Sequence, residues 1–97
     1  IYDRAALVAL PEKMRTAYTA HIAHLSQYAQ QLLVTYEYDQ RLMDGPPFSV
    51  DEKEVRRHYE QHFLIHEVCK QRVEGGLKGK CEAYETVWNL KPKSRLQ

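Results

Sequence analysis

Ninety-seven residues hold one domain at most, and a chain of this size removes roughly two-thirds of its unfolded surface from water, so a modest core needs no covalent staples. Fourteen Lys and Arg against thirteen Asp and Glu leave a formal net charge of +1, too little for the broad positive field that draws a protein to nucleic acid. No apolar stretch approaches the roughly 20 residues of a bilayer crossing, and the first residues lack the basic flank and cleavage site of a secretory signal, so no membrane partner is expected and the cytoplasm is the expected compartment.

Ile1-Tyr2 reads as the end of a strand that begins upstream, because Asp3-Arg4 brings charge at once and Ala5 to Leu10 favours helix. The chain is therefore expected to be a piece of a longer protein. Pro11 suits the first turn of a helix, where its missing N–H would be an orphan anyway, and Glu12 there complements the dipole. Met14, Tyr18, Ile22, Leu25 and Ala29 then recur at steps of four, four, three and four, the spacing of one helical face. A helix from about Pro11 to Gln30 is predicted.

Leu32 to Tyr36 is apolar apart from Thr35 and lacks alternation, which fits a strand covered on both faces in a parallel sheet. Its polar end, Glu37 to Gln40, should face a crevice. Asp44-Gly45-Pro46-Pro47 breaks any regular element. Ser49-Val50-Asp51-Glu52 matches the capping-box pattern and predicts a second helix from Ser49 to about Gln61. Phe63 to Cys69 and Ala83 to Leu90 read as strands. The connection through Gly75, Gly76 and Gly79 is too short for a crossover, so an antiparallel return is expected. Residues 1–90 form the expected domain and 91–97 a loose tail. Periodicity alone specifies an α/β protein.

Cys69 and Cys81 lie twelve positions apart with no Cys-x-x-Cys pair, which suits neither a disulfide framework nor a zinc clip and predicts reduced thiols. His58, His62 and His66 are spaced by four, and on a continuous helix they would share a face within reach of a metal, as His21 and His24 would on another. However, Phe63 to Val68 reads as strand, which takes His66 off that face, and no carboxylate pattern completes a site. Solvated helix-face histidines, beside Arg56 and Arg57, are the better reading, and no metal is expected.

In open α/β sheets a ligand sits beyond the carboxyl ends of the strands, which puts weight on Asp3, Arg4 and Tyr38 to Gln40. A guanidinium there can pair bidentately with a carboxylate or attract a developing thiolate. An ion pair of Arg4 with Asp3 or Glu37 accounts for the same residues without a site. Consecutive prolines hold a rigid extended backbone with flat apolar faces, so Pro46-Pro47 could lie against an aromatic heterocycle at little entropic cost. Stiffening the loop before a capped helix is the equal alternative. Gly75-Gly76-x-x-Gly79 precedes a strand, which rejects it as a nucleotide loop.

Tyr2-Asp3-Arg4-Ala5-Ala6-Leu7-Val8-Ala9-Leu10, Leu32-Leu33-Val34-Thr35-Tyr36-Glu37-Tyr38-Asp39-Gln40 and Gly45-Pro46-Pro47-Phe48-Ser49-Val50 together resemble the thiopurine S-methyltransferase family, small-molecule methyltransferases that use S-adenosylmethionine. The first block is similar to the family's Asp-Arg-Ala/Gly-Ala-Leu-Val-Ala segment, and the second to the bacterial members' Leu-Leu-Val-Thr-x-Glu-Tyr-Asp-Gln. The resemblance implies the C-terminal half of a class I (Rossmann-like) methyltransferase sheet, with helices packed on parallel strands and a final antiparallel strand. It implies that Arg4 contacts the S-adenosylmethionine cofactor and the substrate side, that Asp3 orients Arg4, and that Pro46, Pro47 and Phe48 border the substrate. The implied activity is methyl transfer to the sulfur of a small heteroaromatic thiol, or to a selenium or tellurium anion in detoxification.

The sequence departs from the family in two places. The arginine-containing stretch expected before the last strand is the shorter Arg72 to Gly79, where Arg72 or Lys78 are the candidates. The glycine-rich turn and acidic strand end that bind adenosine have no match, so the 97-residue chain alone is expected to be inactive. A stand-alone, non-catalytic binding module derived from the same fold is the alternative.

Overall fold

The computed structural model describes residues 1–77, 79 and 81–93. In chain order they form β1 (Tyr2–Asp3), a 3-10 turn (Leu7–Ala9), α1 (Glu12–Leu25), β2 (Gln31–Tyr38), a second 3-10 turn (Gln40–Leu42), α2 (Glu52–Tyr59), β3 (Phe63–Arg72) and β4 (Ala83–Pro92). The sheet order is β1-β2-β4-β3, with β1 parallel to β2 and β4 antiparallel to both of its neighbours. The expected antiparallel return is present, and it is inserted between β2 and β3. The result is a mixed sheet in an α/β domain.

Side chains alternate across a strand, so the register puts Leu33 opposite Trp88 and Gln31 opposite Leu90 on one face. Leu7, Val55, Tyr59 and Phe63 join them there in the main core. Burying each large apolar side chain contributes about 1.5–3 kcal/mol. Trp88 keeps its indole satisfied by donating from Nε1 to Thr35 Oγ1 at 2.9 Å. β2 is not covered throughout, because Leu32, on the opposite face, remains 42% exposed.

α1 differs from its predicted form at both ends. Pro11 is the extended residue before the helix, and the helix ends at Leu25, five residues before the predicted Gln30, after which Gln27 and Tyr28 take positive φ (56° and 58°) as the chain turns toward β2. Along this helix Met14 and Leu25 are exposed, Tyr18 packs partly buried against the main core, and Arg15, Thr19 and Ala23 are buried. α2 presents a carboxylate to this helix, which selects an arginine, and the small Thr19 and Ala23 allow close approach. Part of the apolar row, Tyr18, Ile22 and Leu25, lines an open depression with Ile1 and Tyr2.

The cap of α2 also moves. Ser49 Oγ accepts from the Tyr38 N–H (3.0 Å) and the Val50 N–H donates to Tyr36 O (2.8 Å), so both residues are tied to β2. Asp51 caps instead, its Oδ1 accepting from the Glu54 N–H at 2.9 Å. β4 runs past the expected end at Leu90, with Lys91 opposite Leu64 and Pro92 opposite Phe63. Of the expected tail, residues 94–97 lie outside the described residues. No helix among the described residues is long and apolar enough to cross a membrane.

Candidate functional site

Asp3 ends β1 and shapes the turn after it. Its Oδ1 accepts from the N–H groups of Ala6 (3.1 Å) and Leu7 (3.2 Å), and its Oδ2 accepts from the Tyr18 hydroxyl (2.9 Å). Both oxygens thus hold the turn that carries Arg4 and tie it to α1. A carboxylate is suited to this because the first N–H groups of a turn have no partner of their own. The Tyr18 hydroxyl is held far above the ordinary phenol range, by burial first and then by Asp3.

Arg4, Ala5, Val8, Ala9, Tyr36, Pro46 and Pro47 line a cavity of about 330 Å³. Its position at the carboxyl ends of β1 and β2 is where open α/β sheets hold ligands, and its volume lies within the roughly 300–1,000 Å³ of small-molecule sites. Arg4 and both prolines, 42 residues apart in the chain at the nearest, therefore share one wall system.

The diproline loop is held by the preceding strand end. The Tyr38 hydroxyl donates to Pro47 O at 2.6 Å, and Gln40 Nε2 donates to Met43 O (2.8 Å) and the Tyr38 hydroxyl (2.9 Å). Gln40 Oε1 accepts from the Ser49 N–H at 2.9 Å. Tyr38 and Gln40 are therefore scaffold residues, and Asp39 pairs with its neighbour Arg41, which holds its carboxyl down to about 2. Gly45 has φ +89°, and a Cβ there would stand 2.8 Å from the Phe48 ring, so this position requires glycine. The Gly45–Pro46 and Pro46–Pro47 bonds are both cis, whereas the sequence suggests an extended run. Phe48 does not line the cavity. Its N–H donates to Val8 O (2.6 Å) and its ring lies under the Arg15 guanidinium, 5.5 Å from centroid to Cζ.

Two contributors are not legible in the sequence. Tyr36 reads there as one more buried strand residue, yet it lines the cavity together with Arg4, and Glu85 is its cross-strand partner. Burial and then Glu85 push the Tyr36 hydroxyl above the ordinary phenol range, while Arg4 acts in the opposite direction. Arg15 is the second, with Nη1 donating to both carboxylate oxygens of Glu54 at 2.8 and 2.9 Å. The available signals are the place of Tyr36 near the end of a strand and a lone arginine beside an apolar helical row.

His58 is not solvated, a correction to the sequence reading. Its side chain is 1% exposed and Nε2 stands 2.9 Å from Glu54 Oε2, one helical turn back. His62 packs against the Tyr28 ring at 4.8 Å, and His66 lies on β3. Among the described residues no three His, Cys, Asp or Glu side chains gather around a metal position. Cys69 and Cys81 are free thiols. Arg72 faces Glu82 at 3.4 Å and is not part of the cavity lining, and Lys78 lies outside the described residues.

An α/β mixed sheet whose pocket opens at the ends of two parallel strands is consistent with part of a class I methyltransferase fold. The family model described as thiopurine S-methyltransferase matches residues 1–91. A thiopurine S-methyltransferase of Gluconobacter oxydans is 52% identical over 92 residues, covering 95% of this chain and 42% of the relative. Those of Teredinibacter turnerae and Xanthobacter autotrophicus are 53% and 51% identical over 90 residues, each covering 93% of this chain and 42% of the relative. The chain belongs to the thiopurine S-methyltransferase family, and spans 42% of the length of these curated relatives.

Proposed function

We propose that the protein carrying this chain is a cytoplasmic methyltransferase that moves a methyl group from S-adenosylmethionine to the sulfur of a small heteroaromatic thiol, with selenium or tellurium anions as further acceptors. The observation that carries the reading is the shared cavity: Arg4 and Tyr36 line it together with the apolar Ala5, Val8, Ala9, Pro46 and Pro47. Bound S-adenosylmethionine would supply a methyl on a positively charged sulfur, open to displacement by a thiolate, with the electron pair of the broken bond left on the donor sulfur as a neutral thioether. Such a displacement needs little acid or base help, so positioning and water exclusion are the protein's share.

Within this chain Arg4 fits the donor carboxylate or the incoming thiolate, since a guanidinium pairs bidentately with one and attracts the other. Tyr36 steadies Arg4, and Ala5, Val8, Ala9, Pro46 and Pro47 hold a flat ring and exclude water. The adenine and ribose find no counterpart, because among the described residues Gly75, Gly76 and Gly79 lie between two strands and open no helix. Those contacts are assigned to the additional length found in the relatives.

The test is Arg4→Ala in a full-length protein. Donor affinity by titration calorimetry should fall about tenfold, as for loss of a charge-assisted pair, and unchanged affinity would remove Arg4 from the site. A full-length protein that methylates neither a thiopurine nor tellurite would overturn the functional reading itself.

A further inference from the structure

Two of the segments that line the cavity lead to one buried side chain. The first is the turn carrying Ala5, Val8 and Ala9, and its last carbonyl, Leu10 O, accepts from Arg15 Nε at 2.9 Å. The second is the diproline, whose next residue, Phe48, lays its ring under the same guanidinium at 5.5 Å. The segments are also joined directly, the Phe48 N–H donating to Val8 O at 2.6 Å. Arg15 is itself fixed, because Glu54 accepts two of its hydrogen bonds and is in turn held by His58 Nε2 and by the start of α2. A planar guanidinium with several donors in a rigid fork can satisfy a carbonyl, a carboxylate and an aromatic face together, which an ammonium cannot.

We infer that Arg15 is a positioning residue that sets the spacing of these two segments of the pocket lining, with Phe48 transmitting its position to Pro46 and Pro47. It touches neither donor nor substrate. The inference rests on the proposed thiol methylation, in that the pocket is taken to receive a flat thiol. A wall displaced by about an ångström weakens the grip on a flat ring while leaving the Arg4 end intact.

Two variants of the full-length protein test it. Phe48→Leu removes the ring but keeps the Arg15–Glu54 pair, and Arg15→Lys keeps the charge but loses the fork. The expected result for each is a thiopurine KM raised about tenfold, with kcat and donor affinity within about twofold, the pattern of lost ground-state positioning. Unchanged KM in Phe48→Leu overturns the inference, as does an equal fall in kcat and donor affinity. If Arg15→Lys does not fold, Phe48→Leu decides alone. If the wild-type protein methylates no thiol, the functional reading fails separately, and the positioning claim is read from amide exchange. Exchange at the amide of position 48 should then be about tenfold faster in the variants relative to Leu33, and equal exchange would overturn it.

Discussion

The pocket end of this molecule and its β3–β4 ribbon are held together by different means. Around the pocket, turns and loops carry little backbone ladder, and side chains join them: Asp3 to a turn and Tyr18, Tyr38 and Gln40 to the diproline loop, Arg15 to Leu10 and Glu54. In the ribbon, two ten-residue strands pair along their length while most of β3 beyond Ile65 stays exposed. Ladder bonds form whatever the side chain, so the ribbon should absorb substitutions that the pocket end cannot. An irregular site needs side-chain bonds of defined partner and length, and that makes it sensitive.

The sharpest break is expected at Arg15. Arg15→Met leaves the Glu54 carboxylate buried without its cation, and removing one member of a buried pair costs about 3–5 kcal/mol. Chemical denaturation measures this, and a loss no larger than that of an exposed ion pair would show that the pocket end is not held as described. Leu33→Ala, in the core beneath both regions, should cost about 2–5 kcal/mol.

A smaller effect is expected at Tyr18. Tyr18→Phe deletes a hydrogen bond to a carboxylate, worth about 1.5–3 kcal/mol. It also bears on pH. Tyr18, Tyr36, Tyr38 and Tyr59 are all shifted upward, mainly by burial. Unfolded tyrosines ionise near 10.0, the folded ones later, so this contribution is complete below that pH and is lost as pH rises above it. Thermal midpoints should therefore fall beyond pH 10, less steeply in Tyr18→Phe, and a flat profile would contradict the burial of these rings. The least effect belongs to the ribbon: Val68→Ala, at a bulge and 59% exposed, should stay within about 0.5 kcal/mol.

The Arg4 and diproline blocks are legible because each joins an apolar run to a charged or rigid residue within a few positions. Their meeting in one cavity is an implication of family resemblance, and the geometry puts them on a single wall system. Phe48 is a pocket residue by the family resemblance alone, and its ring packs against Arg15 outside the cavity lining, since the position of one side chain in a tight loop depends on what packs behind it. The apolar row of α1 is a correct helix signal, whereas the pairing of Arg15 on that helix with Glu54 on α2 is not local.

By itself, then, the sequence determined the number and kinds of elements, the antiparallel return and the blocks that mark the family, because periods of two or 3.6 residues and short motifs are local. The tertiary structure alone decided that β4 runs between β2 and β3, that the Tyr18 hydroxyl reaches Asp3, that Tyr36 and Arg4 line one cavity and that Arg15 pairs with Glu54. Those pairings close between distant positions, 39 residues apart for Arg15 and Glu54, and no local pattern encodes a partner that only folding brings within bonding distance.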